Sequence, residues 1–150
     1  MTKIIVDSNI IFSALLNIDS RIGQMLINSK KHYDFYSPKY VRSEIFEHKE
    51  KIKKIAKLNN ADFFEVYELV LQNVTILNHS ILPIKNFKKA ADLCKNVDSD
   101  DTLFVAFSEY LKADLWTGDK KLLIGLSKKG FKRTITTEEL YQDFRKKQKL

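Results

Sequence analysis

The segment VDSDDTLF, residues 97–104, sets three carboxylates, Asp98, Asp100 and Asp101, within four positions of a chain whose formal net charge is +7. Anions that close repel one another and raise each other's pKa unless a cation neutralises them. Mg²⁺ or Mn²⁺ suits the task, because hard cations prefer oxygen ligands. One or two such ions held by carboxylates can hydrolyse a phosphodiester by activating water, holding the phosphate and stabilising the leaving oxygen. Capping is the competing use: an acid at a helix start accepts from free backbone N–H groups and complements the helix dipole. A cap asks for one acceptor or two, whereas this turn offers three carboxylates and a hydroxyl. Asp101 is therefore assigned to metal, Asp98 to metal as a secondary ligand, and Asp100 to solvent or the cap.

These acids need elements to hold them. Residues 3–6 (KIIV) form a β-branched run ending at Asp7, as a buried strand would. From Asn9 to about Lys30, Ile11, Leu15, Ile18, Ile22, Met25 and Leu26 recur at helical spacing, with a break expected around Asn17 to Ser20. Residues 32–37 (HYDFYS) predict a second strand, ended by Pro38, and then a helix from near Lys39 that carries Glu44. Residues 47–57 and 61–71 read as a helical hairpin inserted between strands, an insertion of about 49–73. VTIL at 74–77 is a third strand, 87–95 a helix, 102–112 a helix, 114–117 (DLWT) a strand, 120–129 a helix, 133–135 a last strand and 137–147 a closing helix. Alternating strands and helices predict parallel crossovers and a sheet covered on both faces, within one domain spanning 1–150.

In such sheets ligands bind outside the carboxyl ends of the strands. Asp7 directly follows the first strand, Glu44 lies one or two turns into the helix after the second, Asp101 opens a helix, and Asp119 falls two residues past LWT. All four map to one rim.

At this point the motifs IIVDSNIIFSALL, SPKYVRSEIFEH, VDSDDTLFVAF and LWTGDKKLL, in this order and covering nearly the whole chain, resemble a PIN domain nuclease, most closely a prokaryotic subgroup with toxin-like members. The resemblance implies a three-layer α/β/α fold with a small parallel sheet of four to five strands. It implies a metal-dependent endoribonuclease with the acidic quartet Asp7, Glu44, Asp101 and Asp119 around Mg²⁺ or Mn²⁺, and Asp98 as an additional acid. Asn9 matches a polar residue that supports the site by hydrogen bonding, and Thr117 a hydroxyl that orients a water there. Glu47, three residues from Glu44 on the same helical side, is the alternative for that position; the motif favours Glu44. As partners the resemblance brings RNA, a cognate antitoxin protein if the chain is the toxin of a toxin–antitoxin pair, and a second copy in a homodimer.

The basic excess, 26 Lys and Arg against 19 Asp and Glu, points to a polyanionic partner such as nucleic acid. Lys120 and Lys121, next to Asp119, and Lys49 and Lys53, on the charged hairpin, are the candidate RNA contacts, whose phosphate pairing would be sequence-independent and salt-sensitive. The basic tail, about 145–150, either grips RNA or stands free of the fold. His32, His48 and His79 lack metal-ligand spacing, and the single cysteine, Cys94, reads as a buried helical thiol. No Gly-rich phosphate loop or G-x-S-x-G appears, which argues against covalent nucleophilic catalysis. The absence of a signal peptide and of a long apolar run makes the cytoplasm the expected compartment. Two other functions stay open: a non-catalytic RNA-binding or partner-binding module on the same fold, and, ranked last because DSN stands where D-x-D would be needed, a phosphoacceptor or aspartyl phosphatase.

Overall fold

A computed structural model describes residues 1–149. Five parallel strands, β1 (Thr2–Val6), β2 (Tyr33–Pro38), β3 (Val74–Leu77), β4 (Asp114–Trp116) and β5 (Thr134–Ile135), lie in the order β3-β2-β1-β4-β5. The chain builds outward from β1 to β3, then crosses back to place β4 on the other side of β1. The order reverses between β1 and β4, which is where open α/β sheets form their ligand crevice.

Strand periodicity divides the core in two. Successive side chains of β1 point to opposite faces, so Ile4 and Val6 join one apolar cluster while Ile5 joins the other. The first cluster packs under α1 (Ser8–Leu16), α2 (Arg21–Asn28), α3 (Val41–Glu47), α4 (Lys49–Ala56), α5 (Asn60–Leu71) and α9 (Thr137–Gln148). The second packs under α6 (Ile84–Cys94), α7 (Thr102–Leu111) and α8 (Lys120–Lys128). The result is a three-layer α/β/α fold. No single described helix is long and apolar enough to cross a membrane.

The long helical region after β1 breaks at residues 17–20, where Ser20 caps α2 by accepting from Gly23 N–H at 3.1 Å. The α4–α5 hairpin turns at Lys57, held at φ 59° in the left-handed region, and Asn59 then caps α5. It is built into its layer: Ile52, Phe63 and Val70 are buried in the first cluster. Helix α6 begins three residues earlier than its apolar spacing suggests, because Pro83 supplies a preset N-terminus. The basic segment at 145–148 continues α9, with the Lys147 ammonium 3.0 Å from Asp143 and 4.4 Å from the Tyr33 ring centre. Leu150 lies outside the described residues.

Candidate active site

Asp7 stands where β1 gives way to α1, held by its N–H donating to the Trp116 carbonyl at 3.1 Å, which carries the β1–β4 pairing one residue past the strand. It is 3% exposed. Such a carboxylate needs compensation, and Thr117, fully buried, donates its hydroxyl to Asp7 Oδ2 at 2.7 Å. Burial raises the Asp7 pKa, the bonds from Thr117 and from the Ser8 and Asn9 backbones draw it back, and the Asp119 charge adds to the rise.

Beyond β4, the Thr117 hydroxyl also accepts from Asp119 N–H at 3.2 Å, and Asp119 Oδ1 caps α8 by accepting from Leu122 N–H at 3.1 Å. Across the crevice, residues 99–101 form a 3₁₀ turn capped by Asp98 Oδ1, which accepts from Asp100 N–H at 3.0 Å. Asp101 sits at the N-cap position of α7 and makes no capping bond with its side chain. Asp98 and Asp119 thus do serve as caps, and each carboxylate keeps acceptor capacity beyond that bond. One oxygen from each of Asp98, Asp101 and Asp119 lies within 4.8 Å of the other two.

Asp101 carries the electrostatic cost. Burial, then repulsion from Asp7, Asp98 and Asp119, pushes its pKa up to about 7. Glu44 enters from α3: Ser8 Oγ donates to its Oε1 at 2.7 Å, while burial and the charges of Asp7 and Glu47 raise its pKa against that bond. Tyr40, one turn before Glu44, has its phenol pKa raised by burial and by the charges of Glu44, Asp101 and Asp7. It donates to the Asp100 carbonyl at 3.2 Å. Asp7 is coupled to Asp119, Asp101 and Glu44, so the acids from four separate stretches share one field.

The other residues singled out by sequence are distributed unevenly. Asn9 is exposed and lines a separate pocket with Phe12 and His48, reaching Asp7 only through its backbone N–H. The Thr117 hydroxyl gives its proton to Asp7, which places it as a support for that carboxylate. Glu47 is exposed on α3, and it is Glu44 that meets Ser8. Lys120 and Lys121 are exposed in the first turn of α8, an end whose dipole disfavours cations. Lys53 instead contacts Asn60 Oδ1 at 2.7 Å and pairs with Glu50, and the Lys49 ammonium lies 4.8 Å from the Phe64 ring centre. Ser8 and Tyr40 had no place in the sequence reading. Adjacency to Asp7 and the four-residue step from Tyr40 to Glu44 were the signals that could have found them.

The donor set fits a divalent cation. With Mg²⁺–oxygen distances of about 2.0–2.1 Å, opposite ligands of an octahedral ion stand about 4.1 Å apart, so three carboxylate oxygens within 4.8 Å span about one coordination shell. A family model described as PIN domain matches residues 5–145, nearly the whole chain. No curated protein matches. The chain belongs to the PIN domain family, a family of nucleases.

Proposed function

From that membership, we propose that this chain is a metal-dependent endoribonuclease that hydrolyses RNA phosphodiesters by in-line attack of water. The observation that carries the proposal is the convergence of Asp98, Asp101 and Asp119 on one point beside buried Asp7. Asp101, Asp98 and Asp119, with Asp7 and Glu44, would hold Mg²⁺ or Mn²⁺, which when bound supplies charge neutralisation of the scissile phosphate and a lowered pKa for the attacking water.

The remaining work falls to the protein. Thr117 keeps Asp7 ionised and aimed, because its hydroxyl bonds the charged form and opposes the effect of burial. Ser8 does the same for Glu44. The β1 and β4 ends fix Asp7 and Thr117 on paired backbone, which limits reorganisation when substrate arrives. Lys120 and Lys121 follow Asp119 directly and supply phosphate contacts.

Cleavage of an end-labelled mixed-sequence RNA in Mg²⁺, Mn²⁺ or EDTA tests this reading, with Asp7→Asn and Asp101→Asn alongside. Metal-dependent cleavage that both substitutions abolish is the expected outcome. Cleavage retained in Asp7→Asn, or RNA binding with no cleavage under either metal, refutes it, the second in favour of a binding module. The toxin role belongs to the same proposal: induced expression arrests growth through RNA cleavage, and Asp101→Asn restores it.

A further inference from the structure

Beside the acids lies a trough of about 570 Å³ lined by Tyr40, Glu44, His79, Phe87, Asp100 and Thr102, among others. Its chemistry differs from that of the acid cluster. Aromatic rings reach it from three stretches of chain: Tyr40 before α3, His79 after β3 and Phe87 on α6. Phe87 is 46% exposed, a large apolar ring left facing solvent next to a carboxylate site. Tyr40 and Glu44 are common to both places: they line the trough, while the Tyr40 hydroxyl donates to the carbonyl of Asp100, the residue before Asp101, and Glu44 accepts from Ser8, the residue after Asp7. The trough therefore borders the acid cluster, with Ser99, Asp100 and Thr102 of its wall flanking Asp101.

We propose that this trough holds an unpaired nucleobase of the substrate, stacked on Phe87, next to the phosphate to be cut. The inference rests on the nuclease reading and narrows it: the substrate is single-stranded RNA or an exposed loop, since a base held in a duplex cannot present its face. Stacking on aromatic side chains tolerates any base, because each has a π face. The surroundings suit a nucleotide better than an apolar peptide. The Asp100 carboxylate stands at the wall as an acceptor for base-edge amino groups, and α6 exposes Lys85 and Lys88, neither in an ion pair among the described residues.

The test compares binding of a fluorescent single-stranded oligoribonucleotide with a cleavage-resistant phosphorothioate backbone, and of the matching duplex, in Mn²⁺, for the unaltered protein, Phe87→Ala, Phe87→Trp and, as an exposed aromatic on the far part of α7, Tyr110→Ala. Phe87→Ala should weaken single-strand binding roughly five- to 150-fold. Phe87→Trp should retain it, and Tyr110→Ala should match the unaltered protein. Because Phe87 is half exposed, its truncation leaves the core intact, and unchanged thermal unfolding of Phe87→Ala verifies this. Equal single-strand affinity in Phe87→Ala and the unaltered protein, or a duplex bound as tightly as the single strand, overturns the trough assignment. The two readings fail separately. If Asp7→Asn is inactive while Phe87→Ala binds and cuts normally, the nuclease stands and the trough falls; if nothing is cut but Phe87→Ala loses the single strand, the reverse holds.

Discussion

Thr117 is the residue on which the ionisation of the site turns. Its hydroxyl bonds a carboxylate that is 3% exposed, and a hydrogen bond to a charged group contributes about 1.5–3 kcal/mol. Thr117→Val keeps the shape and removes the donor, so the Asp7 pKa, already raised, rises further. The proposed catalysis requires the ionised form, so the acid limb of the pH–rate profile should move to higher pH with little change on the alkaline side. An acid limb left in place would show that Thr117 acts on something other than Asp7. Ser8 and Glu44 form the parallel pair, and their separation of 36 residues explains why only one of them was legible. Acidic side chains are rare enough at strand ends to be noticed in a sequence, whereas a serine's partner is decided by which helix the fold brings near. The same holds for Tyr40, which reads as an aromatic near a helix start until Asp100 and Glu44 are seen around it.

At the scale of elements, the strand ends and the helix starts that bear the acids were readable because their signals are local. The β-branched run KIIV stopped at Asp7, the strand expected at 114–117 (DLWT) is β4, VTIL matched β3 residue for residue, and Asn17 to Ser20 broke the first helical region. What was not readable is the packing that sets one carboxylate against another. A Cβ at Gly125 of α8 would lie 2.6 Å from a methyl of Val97, the residue before Asp98. Val97 is β-branched and has little freedom to swing aside. Gly125→Ala should therefore displace the Asp98 loop, costing about 1–3 kcal/mol of stability and weakening divalent-ion affinity more than the loss of Asp98 capping alone would. Unchanged melting temperature and unchanged Mn²⁺ affinity in this variant would mean the loop accommodates the methyl without moving. The lysines on the α4–α5 hairpin illustrate the opposite limit: their charge was plain in sequence, but Glu50, Asn60 and Phe64 occupy Lys53 and Lys49.

For the whole molecule the clustered acids are a liability that protonation or a bound cation would relieve. Asp101 titrates near 7 in the folded chain against a usual 3.8, and Asp7 and Glu44 are shifted the same way. Between those pH values the native state binds more protons than the unfolded state, so stability falls as pH rises through that window. In EDTA the protein should melt at higher temperature near pH 5 than near pH 8. Mg²⁺ should raise the melting temperature at pH 8 and do little at pH 5, where protons compete for the ligands. A metal-free melting temperature that climbs from pH 5 to pH 8 would contradict the clustering of these charges. The overall charge of +7 belongs at this scale too, since it would favour a polyanion over a crevice that is itself acidic. A bound cation of the kind proposed would reconcile the two, which makes its binding the central claim. Titration of the metal-stripped protein with Mn²⁺, followed by loss of the free-ion paramagnetic resonance signal, measures it directly. Saturable binding at the acid cluster that weakens more than about tenfold in Asp101→Asn is the predicted result, and Mn²⁺ affinity equal in Asp101→Asn and the unaltered protein would contradict it.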